Sequence, residues 1–144
     1  MGKDINRQFE ECVRTGKLKP SQDAKVMVEK ELRAAAGDLN DALQGLAGGR
    51  WKWSTIQAYY VMFHAARALI YNHGYREKSH YCLRIAVEYL YSEIPSQMIE
   101  DFQTAKIMRE NADYEENFSD IGAQKIVRSA EGFLKFAKNV LTEK

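Results

Sequence analysis

The chain has 144 residues, 45% apolar and 28% charged, which is the composition of one compact domain spanning residues 1–144. A chain of this length buries roughly 68% of its unfolded surface, enough for a core without disulfide or metal staples. Twenty-one Lys and Arg against twenty Asp and Glu leave a formal net charge of +1, so no overall field draws the protein to nucleic acid or anionic membrane, and such binding needs a local patch. Cys12 and Cys82 are too few for a disulfide framework; their usage fits a reducing cytosol, with one bridge left open. The first ten residues are charged and lack the apolar run of a signal peptide, and no stretch approaches the ~20 apolar residues of a membrane span. A cytoplasmic protein without membrane contact is expected.

Along the chain, Asp4 to Arg14 fits a short helix with Ile5, Phe9, Cys12 and Val13 inward, broken at Gly16. From Ser21 to Leu46, Val28, Leu32, Ala35, Leu39, Ala42 or Leu43, and Leu46 recur at helical steps. Ser21, after Pro20, reads as the cap of this helix, and Gly48 and Gly49 as its stop. Ser54 to Asn72 is predicted as the next helix, capped by Ser54 and stopped by Gly74, followed by one from Ser79 to about Tyr91. Pro95 suits the first turn of a helix running to about Ala112. After a polar segment, Ser119 or Asp120 caps a last helix whose stripe runs from Ala123 to Leu141. No window alternates apolar and polar residues between hairpin dipeptides, so no sheet is expected. The expectation is an all-α, up-and-down helical bundle of four to five main helices with a short N-terminal helix.

The histidines, His64, His73 and His80, are not spaced as a helical metal pair with a converging third ligand, so no metal site is expected. No phosphate loop, dinucleotide fingerprint or serine nucleophile motif is present, and no cofactor is expected. Tyr60, His64, Arg67 and Tyr71, at steps of four, three and four, form a line too polar for an ordinary core. It reads either as an internal hydrogen-bond network that fixes helix register or as a partner face rich in Tyr and Arg. Arg76, Lys78, His80 and Arg84, with Tyr75 and Tyr81 among them, combine cations and aromatics as RNA contacts do, or are solvated surface charges. Arg109 can pair with Asp113 four residues on, or aim its guanidinium at a phosphate with Tyr114 beside it as a phenolic donor.

These residues carry a resemblance. The run from Tyr59 and Tyr60 through Phe63, His64, Ala65, Ala66 and Arg67 to Leu69, then Gly74 and Tyr75, then Lys78, Ser79 and His80, resembles small prokaryotic HEPN-domain proteins. Arg109 followed at the right interval by Asp113 and Tyr114, and the Ala-rich last helix, extend the likeness over roughly residues 20–140. The resemblance implies a helical bundle that forms a homodimer and is often encoded beside a minimal nucleotidyltransferase as a toxin and antitoxin pair. It also implies RNA or a nucleotide as ligand. Many relatives are metal-independent ribonucleases whose Arg and His, four to six residues apart, come from both subunits to a shared cleft. Here Arg109 matches the Arg, but Tyr114 stands where His is usual and no His follows. Arg67 and His73 satisfy the interval only in the earlier helix, where the family does not place its site. Catalytic roles are therefore expected at Arg109, Asp113 and Tyr114, and binding roles at Tyr60, His64, Arg67, Lys78 and His80. A noncatalytic module that binds nucleotide, RNA or a partner protein is the alternative.

Overall fold

The computed structural model describes residues 2–112 and 118–142. Its elements are α1 (Gly2–Arg14), β1 (Leu18–Pro20), α2 (Val28–Ala47), α3 (Trp51–Tyr71), β2 (Tyr75–Glu77), α4 (His80–Leu90), α5 (Ser96–Glu110) and α6 (Asp120–Thr142). The architecture is an all-α bundle carrying one minimal two-stranded ribbon. No helix among the described residues is long and apolar enough to cross a membrane.

Helix α3 is the centre of the bundle and packs against α2, α4, α5 and α6. Ala58, Val61, Met62, Ala65, Ala66, Ala68, Leu69 and Ile70 are all fully buried, so this helix is apolar on most of its circumference. Its four small alanines let neighbouring helices approach closely. Helix α6 completes the core through Ala123, Val127, Ala130, Phe133 and Leu134, the stripe expected from its spacing.

The α2–α3 hairpin turns through Gly48, Gly49 and Arg50, with Gly49 at a φ of +74° that favours glycine. So abrupt a turn starts α3 at Trp51. Ser54 is consequently not a cap, as expected from sequence, but a buried residue one turn inside the helix, against Gly45 of α2. A Cβ on Gly45 would collide with Ser54 Oγ, which has no hydrogen-bond partner among the described residues. Gly45→Ala is expected to lower stability by about 1–3 kcal/mol, because overpacked sites relax only by shifting backbone. Denaturant unfolding of the variant checks this.

Ser21 is also not a helix cap. Its amide donates to the Gly74 carbonyl at 2.7 Å, extending the pairing of β1 with β2, and a 3₁₀ turn at Lys25–Met27 leads into α2. The ribbon is antiparallel, with Leu18 opposite Glu77, Lys19 opposite Arg76 and Pro20 opposite Tyr75. Strands of three residues are too short to show alternation, which is why no sheet was expected. Elsewhere the expected punctuation holds. Ser79 Oγ accepts the Cys82 amide at 3.1 Å, Ser119 Oγ accepts that of Gly122 at 2.9 Å, and Gly74 stops α3 at a φ of +80°. Pro95 sits at the N-cap, one residue before α5.

Cys12 of α1 and Cys82 of α4 form a disulfide, with Cα atoms 5.8 Å apart. This is the one bridge that two cysteines left open, and a bonded pair does not point to a reducing compartment. Around the bridge, Phe9 stacks on Tyr89 at 4.1 Å and meets Tyr75 edge-on at 5.6 Å, while Gln8 donates to the Tyr81 hydroxyl at 2.9 Å. These contacts seat α1 on α4.

Candidate functional site

The polar line on α3 is half-exposed from Tyr60 to Arg67, and each residue meets a group from another element. Arg109 of α5 donates from Nε to the Tyr60 hydroxyl at 3.2 Å, and its guanidinium lies over the Tyr60 ring at 5.7 Å. One turn on, the His64 ring is 6.5 Å from that of Tyr60. His64 Nδ1 is 2.7 Å from Oε1 of the buried Glu31 on α2, and Nε2 lies 3.7 Å from Asp38. A carboxylate only accepts, so the Glu31 bond places the proton on Nδ1 and leaves Nε2, the nitrogen that faces Asp38, as the ring's acceptor. Burial raises the Asp38 carboxyl above its ordinary range, which the nearby His64 partly offsets.

Arg67 donates to Glu77 of β2 at 2.9 Å and lies over the Phe63 ring at 4.7 Å. Burial opposes its charge, but Glu77, with Tyr71 and Glu31, outweighs burial and raises its pKa. Tyr71 is wholly buried, its hydroxyl without a partner among the described residues. The line is thus a network tying α3 to α2, α5 and β2, with Tyr60, His64 and Arg67 still reaching solvent.

The structure divides the expected basic cluster. Arg76 and Lys78 are exposed on β2 and just beyond it. Arg84 pairs with Glu88 at 3.0 Å and lies over the Tyr81 ring at 5.4 Å. His80 turns inward, its ring 4.6 Å from Phe102 and its Nδ1 3.2 Å from the Tyr59 hydroxyl. Burial first, then the cations Lys106 and Arg84, push the His80 pKa down to about 4; burial pushes Tyr59 up to about 12. His80 is therefore neutral at pH 7, and its inward ring does not fit the phosphate contact proposed from the cluster.

The depressed pKa has a stability consequence. In the unfolded chain a histidine takes up a proton near pH 6.5, whereas in the fold His80 does so only near 4. Its contribution is complete above pH 6.5 and lost progressively as pH falls toward 4. Replacing His80 by Asn should flatten this part of the curve, so the stability difference between wild type and variant shrinks across that window. Thermal melts of both proteins at stepped pH check it.

Asp113 and Tyr114, expected beside Arg109, lie outside the described residues. So does the expected Arg109 to Asp113 pair. Among the described residues no group of three His, Cys, Asp or Glu is placed to hold a metal ion. The site residues that sequence reasoning missed are Glu31, Asp38 and Glu77, ordinary surface carboxylates by composition and spacing.

Comparison with known proteins bears on this geometry. Residues 28–141 match the model of the HEPN domain. The chain is 30% identical over 125 residues to a UPF0332 protein of Archaeoglobus fulgidus, covering 81% of this chain and 96% of that one. A crystal structure of an archaeal HEPN homologue superposes with a TM-score of 0.63 at 17% identity, covering 80% of this chain and 98% of that one. Helix α1 and the ribbon strand β1 precede the residues that the HEPN domain model matches.

Proposed function

The chain belongs to the HEPN domain family, and from that premise we propose that it acts as a homodimer that binds RNA along the polar face of α3 and cleaves it without a metal ion. The observation that carries this reading is the row of Arg109, Tyr60 and His64, which puts a permanent cation, an aromatic face and an oriented imidazole side by side on one open surface. Such a surface suits both base stacking and phosphate contact. In the proposed step, His64 Nε2 accepts the proton of a ribose 2′-hydroxyl, whose oxygen bonds to the adjacent phosphorus. The bond from phosphorus to the 5′ oxygen breaks, and that oxygen takes a proton from water, whose hydroxide takes up the proton held on His64 Nε2. Arg109 stabilises the charge on the phosphoryl oxygens, and Glu31 keeps the proton on Nδ1. In the proposed dimer, a second copy set beside this half-exposed, Tyr- and Arg-bearing face makes a shared groove.

The family resemblance supports a place beside a minimal nucleotidyltransferase in a toxin and antitoxin pair. Tyr114 at the usual His position and the neutral, inward His80 favour a second reading, a module that holds RNA or a nucleotide without cutting it. Incubating the purified protein with RNA in chelator separates the two. Cleavage by wild type that is lost in His64→Ala and restored by added imidazole supports the ribonuclease. Binding with no cleavage, in wild type and in Tyr114→His alike, replaces it with the binding module. Sedimentation as a strict monomer at micromolar concentration removes the shared groove.

A further inference from the structure

The ribbon has two faces of opposite character. Its inward residues are committed: Leu18 is fully buried, Glu77 holds Arg67, and Tyr75 meets Phe9. The outward positions are Lys17, Lys19, Arg76 and Lys78, all exposed. Lys19 stands opposite Arg76, and the Lys78 amide donates to the Lys17 carbonyl at 2.9 Å, so that pair continues the ladder one step beyond the strands. Facing residues sit on strands ~4.8 Å apart, and successive outward residues are ~6.8 Å apart along each strand. Four positive charges are thus gathered on one small face of a chain whose formal net charge is +1. None of the four is in a salt bridge among the described residues. Like charges directly opposite each other weaken a strand pair, so folding does not explain the arrangement. The crowding reaches the side chains: the Lys19 ammonium beside Lys78 holds it below the ordinary lysine range.

We infer that this outward face, Lys17, Lys19, Arg76 and Lys78, is a second RNA contact, which holds the phosphate backbone of the strand whose reacting phosphate lies at Arg109. The inference rests on the RNA reading of the groove. The ribbon continues the line on α3, because the Arg76 guanidinium lies over the Tyr71 ring at 5.4 Å and Glu77 grips Arg67. Tyr60 and Tyr71 are ~16 Å apart along the helix axis. A strand running from Arg109 to the ribbon spans on the order of 20 Å, roughly six stacked nucleotides at ~3.4 Å each. The phosphate backbone carries a regular row of charges and needs no sequence-specific partner, which suits three exposed lysines beside an Arg76 held over the Tyr71 ring.

The test compares an oligouridine long enough to span both places with a uridine trinucleotide, using wild type and the variant carrying Lys17→Thr, Lys19→Thr, Arg76→Thr and Lys78→Thr. The expected result is more than tenfold weaker binding of the long RNA, with the trinucleotide unchanged. The dependence of log affinity on log salt should become shallower by ~0.7 for each phosphate that the variant no longer neutralises. The thermal midpoint should hold or rise, since two like-charge pairs are gone. If the fourfold variant is misfolded, Lys17→Thr with Lys19→Thr is expected to show about half the change in slope. Wild-type affinity and slope in the variants, while Arg109→Ala weakens the trinucleotide, overturn this inference and leave the groove. No RNA binding by wild type overturns both. Binding to phosphatidylserine vesicles in place of RNA assigns the face to a membrane and overturns the inference.

Discussion

Arg109→Ala is expected to slow RNA cleavage by ~10²- to 10³-fold, the usual cost of removing one donor aimed at charge that develops in the transition state. The guanidinium is held by the Tyr60 hydroxyl and ring at the exposed end of α5. The Arg109 side chain is exposed, so its removal leaves the core unchanged. The ground-state phosphate already carries one charge, so RNA affinity should fall too, but by less than the rate, which also loses the contact to the charge that develops. Arg109→Lys keeps the charge but not the planar fork, and should fall between wild type and Ala. Rates and affinities measured together on the three proteins, with melts to confirm folding, check the split. Equal losses of rate and affinity would make Arg109 a binding group alone. Tyr60→Phe removes the hydroxyl that positions Arg109 and should lose rate in smaller measure.

Cys12→Ser, or reduction of the wild type, is expected to cost roughly 4 kcal/mol of stability, by the loop-closure entropy that a bridge across 70 residues removes from the unfolded chain. For a chain of this size that corresponds to a fall in Tm of roughly 10 °C. The contribution acts through the unfolded state, so the variant should keep the native helical spectrum until it melts. The contacts of Phe9 and Gln8 remain when the bridge is gone, and α1 should stay seated at low temperature. Calorimetry of the oxidised, reduced and Cys12→Ser proteins checks the magnitude. Identical midpoints would show that the bridge contributes nothing beyond those contacts.

The helices were legible because each buries a stripe whose spacing survives in one dimension, most plainly in α6. Their starts were less so. Ser21 and Ser54 have the chemistry of caps, but Ser21 belongs to the ribbon's pairing and Ser54 to the inside of a helix begun earlier by the glycine turn. In the site, Tyr60, His64 and Arg67 stood out because polar residues interrupted an apolar helix. Their partners did not, since Glu31 and His64 are 33 residues apart and meet only once α2 and α3 pack. Arg67 and Glu77 are nearer in sequence, yet they meet across the reversal at Gly74. Lys17 and Lys19 likewise became neighbours of Arg76 and Lys78 only through a ribbon too short to announce itself.

The bridge between Cys12 and Cys82 also changes what a broken chain is. It closes a covalent ring that contains β1, α2, α3 and β2, with α1 as one tail and the segment from α4 onward as the other. A single peptide-bond cut anywhere inside that ring leaves one molecule of unchanged mass apart from the added water, and its pieces separate only when a reductant is supplied. Helix α3 and both strands of the basic ribbon lie wholly inside, so one proteolytic nick there does not release them from α4 while the sulfurs stay joined.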